Sequence, residues 1–244
     1  MRLFGLIGYP LSHSFSEKYF TQKFEKEKLT ACRYELFPIR SISELPDLLK
    51  ARPELRGLNV TIPYKQSVLT HLQSVSNIPG GLGACNCIKI ENGELAGYNT
   101  DCTAFEKSLA PLLRPWHKKA LILGNGGSSK AVVWALNKLT ITFDIVSRKL
   151  HDGSTLTYGE LNGKLIKDHL IIINTTPLGM YPRTKECPEI PYHFITGRHL
   201  FFDLVYNPVK SLFLQKGEEH GATIINGEEM LMLQAEESWR IWNS

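Results

Sequence analysis

The 244-residue sequence has no apolar run approaching the ~18 residues needed to cross a bilayer, so no membrane-spanning helix is expected. The apolar stretch at its start, Leu3 to Ile7, is too short for a secretory leader, and no small-residue cleavage site follows it. Cysteine is sparse. Cys32, Cys85, Cys87, Cys102 and Cys187 form an odd set at irregular spacing, which is not a disulfide framework. Reduced thiols make the cytoplasm the expected location. Cys85 and Cys87 form a C-x-C, but a closed zinc site needs a second pair of ligands and none lies near in sequence, so no metal is expected. Neither sign of charge dominates: 28 Lys and Arg against 24 Asp and Glu leave +4. The basic residues are dispersed, which argues against a nucleic-acid or membrane partner and agrees with a small anionic ligand. Internal repeats and low-complexity segments are also missing. What is present is ordinary: 43% hydrophobic and 21% charged residues, enough for a sizeable core and too apolar for a disordered chain. The length allows one large domain or two small ones.

Apolar strands and helical segments alternate along the chain. Leu3–Ile7 reads as a strand ended by Gly8, Pro10 and Ser12. Ser16 to Glu27 carries Tyr19, Phe20 and Phe24 on one side, as an amphipathic helix would, with Ser16 as its cap. A strand is expected over Arg33–Phe37, a helix over Ser41–Lys50, and a strand over Gly57–Thr61. Proline suits a first helical turn, so a helix is expected to start at Pro63 or Tyr64. Cys85–Ile90 and Glu94–Tyr98 flank Asn92-Gly93, a strong hairpin signal. A helix over Asp101–Leu113 follows, capped by Thr100 or Asp101. From Lys119 the character changes. Ala120–Leu123 is continuously apolar, as in a parallel sheet covered on both faces. A glycine loop, a helix over Ser128–Leu139, and strands over Thr142–Val146, Leu170–Ile173 and Leu200–Leu204 come next. A helix near Pro208–His220 and a long amphipathic helix over Glu228–Trp242 complete the pattern. The expected fold class is α/β in two domains. Residues 1–100 form the first and 101–226 a Rossmann-like, doubly wound second domain, while the last helix could pack on either.

Gly124-Asn125-Gly126-Gly127-Ser128-Ser129-Lys130 lies between a buried-type strand and a helix, the context a dinucleotide loop requires. Gly124 permits the tight turn, Gly126 lets the backbone approach a pyrophosphate, and the helix N-terminus offers unpaired N–H groups to the anion. The third glycine of G-x-G-x-x-G is replaced by Ser129. A glycine-rich turn without a ligand is the competing reading. At the end of the next strand, an acid would bind a ribose hydroxyl, whereas cations accommodate a 2′-phosphate. This chain has Ser147-Arg148-Lys149 there. Arg148 can fork onto a phosphate, so NADP is expected in preference to NAD.

Polar clusters stand at strand ends in the first domain: Ser12-His13-Ser14-Phe15-Ser16, Asn59 to Lys65, Cys85-Asn86-Cys87 and Asn99-Thr100-Asp101. Ligands of α/β sheets bind beyond the carboxyl ends of strands. Hydroxyls, amides, one Lys and one Asp suit a small polyhydroxylated ligand, although each cluster alone also fits capping or turn chemistry. Together and in this order they resemble the shikimate dehydrogenase family. The resemblance rests on Ile7–Ser16, Gly57-Leu58-Asn59-Val60-Thr61-Ile62-Pro63-Tyr64-Lys65, Gly83–Asn86 and Gly97–Asp101. It continues through Leu123–Lys130, Ile173–Met180, Asp203–Tyr206 and Gly227 to Gln234, so it spans nearly the whole chain.

The resemblance implies an enzyme that interconverts 3-dehydroshikimate and shikimate with NADPH, on the route to chorismate and the aromatic amino acids. It also implies a C-terminal helix that returns to the first domain, so that 227–244 join 1–100 as the substrate-binding and catalytic domain and 101–226 bind NADP. By matching position, Lys65 and Asp101 are the catalytic pair. Ser14 and Ser16 bind the substrate carboxylate, and Thr61, Asn86, Tyr206 and Gln234 hold its hydroxyls and ring. Gly124, Asn125, Gly126, Gly127, Ser128, Ser147, Arg148, Lys149 and Thr175 hold the cofactor, with Leu204 and Gly227 lining the nicotinamide pocket. An ammonium that donates to a developing alkoxide, oriented by a carboxylate, agrees with carbonyl reduction. The expected partner is this small substrate alone, in a monomer or homodimer. Rival readings are a quinate/shikimate dehydrogenase using NAD, which the basic turn opposes, and a non-catalytic NADP-binding sensor, which Lys65 and Asp101 oppose. The short segment between Lys149 and Leu170 points to one reduced helix in the cofactor domain.

Overall fold

The computed structural model describes residues 1–11, 14–150 and 153–244; Ser12 and His13 of the first polar cluster lie outside them. The chain divides into two compact units, Met1–Asp101 with Leu231–Ser244, and Cys102–Met230.

The first unit opens with β1 (Arg2–Ile7), α1 (Phe15–Lys26), β2 (Cys32–Phe37), α2 (Leu45–Ala51) and β3 (Leu55–Val60). β4 (Ser74–Asn77), β5 (Cys87–Glu91) and β6 (Glu94–Tyr98) follow. The sheet order is β2-β1-β3-β5-β6-β4. β1 runs parallel to β2 and β3, β5 is antiparallel to β3, and β5 and β6 form the hairpin. Asn92 and Gly93, both at positive φ (52° and 84°), make its turn. Side chains alternate along β1. Leu3 and Ile7 join the core on one face with Leu58, Val60 and Leu45, while Phe4 and Leu6 face Phe20 and Phe24 of α1 on the other.

α3 (Thr100–Leu109) carries the chain into the second unit, where β7 (Lys119–Leu123), α4 (Gly127–Lys138), β8 (Thr142–Ser147), β9 (Leu156–Thr157) and α5 (Gly163–Asp168) follow. Then come β10 (Ile171–Asn174), β11 (Leu200–Asp203), α6 (Leu212–Glu219) and β12 (Thr223–Ile225). All pairs in this sheet are parallel, in the order β12-β11-β10-β7-β8-β9. Strand order reverses between β7 and β10, which is the switch point of a doubly wound dinucleotide-binding sheet. α7 (Glu228–Trp242) returns to the first unit. Its Trp242 stacks on Phe4 and donates its indole N–H to the Ile88 carbonyl at 3.0 Å. Gly57 leaves the room that this indole fills; a Cβ there would collide with it.

Several local expectations need correction. Ser14, not Ser16, caps α1, accepting from the Glu17 N–H, because the helix begins at Phe15. No α-helix starts at Pro63. The buried Tyr64 instead donates its hydroxyl to the Ile39 carbonyl, the chain turns inward, and a 3₁₀ helix forms over Ser67–His71. The segment after Arg40 is a 3₁₀ turn capped by Ser41, followed by α2. The helix that begins at Thr100 ends at Leu109, with a 3₁₀ turn over Ala110–Leu112. Between Lys149 and Leu170 the helix is indeed reduced, to the six residues of α5. No helix among the described residues is long and apolar enough to cross a membrane.

Candidate active site

In the first unit the chain beyond β3 and the start of α3 bring together two of the residues singled out. Lys65 Nζ lies 2.7 Å from Asp101 Oδ2, and their side chains are 19% and 14% exposed, so the pair is sheltered yet reachable. Asp101 stands in the first turn of α3, where the helix N-terminus favours negative charge. Asn86 fixes that turn from the chain before β5. Its Oδ1 accepts from the Thr100 N–H at 2.7 Å and its Nδ2 donates to Thr100 Oγ1 at 3.0 Å. It thereby satisfies one of the orphan donors of the helix start. The Cys85 N–H holds the Lys65 carbonyl at 2.7 Å, which anchors the lysine from the same segment. Burial pushes the Cys85 thiol up to about 11, as befits a small filler rather than a nucleophile.

A buried chain of hydrogen bonds links the other polar positions of this unit. The Gln234 backbone carbonyl accepts from the Ser238 hydroxyl at 2.9 Å, while the Gln234 side-chain amide donates to the Leu231 carbonyl at 3.0 Å. Asn59 Nδ2 donates to Ser238 Oγ at 2.9 Å and to the Asn86 carbonyl at 3.3 Å. The Tyr34 hydroxyl donates to Asn59 Oδ1 at 2.8 Å, and burial raises the phenol's pKa while Ser16 faces it. Asn59, Ser238 and Tyr34 are thus the residues that sequence reasoning passed over. Asn59 stood in a quoted motif, but nothing local signals a partner in α7. Thr61 is tied to β1 by its N–H, which donates to the Ile7 carbonyl at 3.0 Å, and Ser14 is engaged as the cap of α1.

In the second unit the glycine loop follows β7 at the switch point. Gly124 has φ +106°, and a Cβ there would press on Thr175 and Thr176, so both conformation and space demand glycine. Gly126 caps α4 with no side chain, and a Cβ on Gly126 or Gly127 would meet nothing within 4 Å. The backbone of this loop is therefore open in front of the twelve-residue helix α4, which is the cradle a pyrophosphate needs. Ser129, in place of the third glycine, is buried and donates to the Gly126 carbonyl at 2.6 Å, closing the turn. Thr175 Oγ1 donates to the Leu123 carbonyl at 2.9 Å, which puts it beside the loop. Asn125 faces Gly153, and Ser128 stands in the first turn of α4.

At the end of β8, Ser147 donates to the Lys149 carbonyl, and Arg148 and Lys149 are exposed. Asp144 is occupied elsewhere. Burial opposes its ionisation, but Lys119, His169 and Thr155 outweigh it and hold its carboxyl below the usual range. Among the described residues, no carboxylate pairs with Arg148 or Lys149. Gly227 lies against the Leu204 carbonyl, and burial raises the Tyr206 phenol.

A nicotinamide-dependent α/β oxidoreductase is the class that this fold and these side chains fit, since one sheet carries an open glycine loop ahead of a helix N-terminus and the other a close Lys–Asp pair. The family model for the shikimate dehydrogenase substrate binding domain matches residues 6–88. A shikimate dehydrogenase (NADP+) of Methanococcus maripaludis is 38% identical over 99% of this chain and 91% of its own length. The chain belongs to the shikimate dehydrogenase family. Among solved structures, shikimate dehydrogenase of Aquifex aeolicus superposes with a TM-score of 0.88 at 30% identity, covering 100% of this chain and 92% of that one. The Thermus thermophilus enzyme, in complex with NADP(H) and shikimate, has a TM-score of 0.87 at 27% identity, covering 99% and 93%.

Proposed function

We infer that this protein catalyses the reversible NADPH-dependent reduction of 3-dehydroshikimate to shikimate. The observation that carries the mechanism is the Lys65–Asp101 pair at 2.7 Å. Reduction of the ketone needs hydride on carbon and a proton on oxygen. NADPH, when bound, supplies the hydride. The Lys65 ammonium stabilises the charge that develops on the carbonyl oxygen and gives it a proton, leaving a neutral amine that solvent recharges. Asp101, 2.7 Å away, orients the ammonium. In the reverse direction the neutral amine takes the hydroxyl proton.

Ser14 and Ser16 bind the substrate carboxylate, and Thr61, Asn86, Gln234 and Tyr206 engage its hydroxyls and ring. The loop Gly124, Asn125, Gly126, Gly127 and Ser128 takes the pyrophosphate, and Thr175, Leu204 and Gly227 flank the nicotinamide end. Ser147, Arg148 and Lys149 take the 2′-phosphate. The first unit is thus the substrate and catalytic domain, and the second the cofactor domain.

A nicotinamide absorbance assay that crosses shikimate and quinate with NADP+ and NAD+ tests this. Turnover is expected to be dominated by shikimate with NADP+. Dominance of quinate or NAD+ would move the protein to the rival subclass, and cofactor binding without turnover in any combination would make it a sensor.

A further inference from the structure

One buried charge has no part in this mechanism. Asp203 ends β11 with no exposed surface, and burial pushes its carboxyl up to about 6. No described Lys or Arg answers it; its partners are neutral donors. Asn174 Nδ2, at the end of β10, donates to Oδ1 at 2.9 Å, and the Val205 N–H donates to the same oxygen at 3.0 Å. The Ser211 hydroxyl donates to Oδ2, while Ser211 Oγ also caps α6 by accepting from the Leu214 N–H. Asn174 extends the link, since its Oδ1 accepts from the Thr176 N–H at 3.0 Å and from Thr176 Oγ1 at 2.7 Å. One carboxylate therefore gathers three stretches of backbone at the carboxyl ends of neighbouring strands.

Stability alone does not explain it. A dry carboxylate without a counter-ion opposes folding at neutral pH, and an asparagine could accept from Asn174 and Val205 without burying a charge. Its position does explain it, because Thr175 adjoins Asn174, and Leu204 and Tyr206 follow Asp203 directly. We propose that Asp203 is a positioning residue whose carboxylate locks the chain after β10 to the chain after β11 and so sets where Thr175, Leu204 and Tyr206 stand. This rests on the cofactor and substrate roles inferred above.

Asp203→Ala leaves three donors unpaired. Asp203→Asn keeps the network, because its Oδ1 accepts the same two bonds and its Nδ2 donates to Ser211 Oγ. Both variants are compared with the wild-type enzyme by steady-state kinetics and by NADP+ titration calorimetry without substrate. In Asp203→Ala, the KM and Kd for NADP+ are expected to rise about 10-fold or more, with a fall in kcat, as for loss of hydrogen bonds to a charged group. Asp203→Asn is expected to restore all three to within about threefold. A merely structural role would lower Tm and the active fraction while leaving KM and Kd unchanged, and that result overturns the proposal. If the alanine chain does not fold, Ser211→Ala, which removes the bond to Oδ2 together with the cap of α6, is read in the same way, and unchanged constants there overturn it too. Wild-type protein without shikimate turnover would end the functional reading, while the calorimetric constants would still judge the network.

Discussion

Each unit sets a sheltered aspartate near a strand end, and the two are answered in opposite ways. Asp101 faces the Lys65 ammonium at 2.7 Å, and both side chains keep some exposure. Asp203 is wholly buried among an amide, a hydroxyl and a backbone N–H. The first arrangement keeps opposite charges close and within reach of solvent, as proton transfer to a substrate requires. The second keeps a charge dry and spends its lone pairs on backbone geometry. Asp144, toward the other end of the parallel sheet, shows that the fold can compensate a carboxylate when it has no loop to shape: Lys119 and His169 each approach it at 2.8 Å. The three carboxylates thus differ in how they are compensated, and depth alone does not set the difference.

The largest effect that would break this contrast lies at Lys65. Lys65→Ala is expected to lower kcat by about 10²–10⁴-fold with a much smaller change in the KM for shikimate, the scale of a lost general acid. Near-normal turnover would remove the proton-handling role from the pair.

The next effect concerns stability and has the opposite sign to most core substitutions. The folded carboxyl of Asp203 is raised from 3.8 to about 6. The folded state therefore holds the proton more tightly than the unfolded chain, so stability falls as pH rises from about 4 to 6 and stays lowered above that. Asp203→Asn, which mimics the protonated form, is expected to be up to about 3 kcal/mol more stable than wild type at pH 7.5, with the gain vanishing near pH 4. Urea titrations at the two pH values check this; an equal or smaller stability at pH 7.5 would mean that the carboxylate is compensated after all.

A cation provides the third test. Arg148→Ala is expected to reduce the preference of kcat/KM for NADP+ over NAD+ by about 10–100-fold, the scale of charge-assisted hydrogen bonds to one phosphate. An unchanged preference would mean that the turn after β8 is simply solvated.

The smallest effect sharpens the contrast at the far end of the same sheet. Burial lowers the pKa of His117 and His199, although each ring nitrogen faces backbone carbonyl or N–H groups. The unfolded chain binds these protons more readily, so their contribution to stability is lost as pH falls below about 6.5. His199→Gln is expected to flatten this loss in a Tm-against-pH profile without altering turnover at neutral pH.

Much of this architecture was legible in the sequence where local physics decides. The Asn92-Gly93 turn needs positive φ at both residues, and both have it. The apolar run of β7 ahead of a glycine loop, and the period of α7, appear as the residues themselves suggest. The short strands β4, β9 and β12 carry too few residues for a period and exist only through their neighbours. The turn at Pro63 depends on where Tyr64 finds an acceptor, which is a tertiary fact. The same holds for the two buried hydrogen-bond networks, one in each unit. Asn59 meets Ser238 across 179 positions and Asn174 meets Asp203 across 29, so the motifs displayed the members without their partners.

The stitch made by Trp242 against Gly57 and Ile88 has a consequence for biosynthesis. The second unit is one continuous stretch and can complete its sheet while the ribosome is still adding residues. The first unit begins earlier, but Phe4, Phe20 and Phe24 gain their remaining cover only when Ala235, Trp239 and Trp242 emerge. A nascent chain paused before α7 would present that aromatic face to solvent and to chaperones, so the half of the molecule that is translated first is the half that matures last.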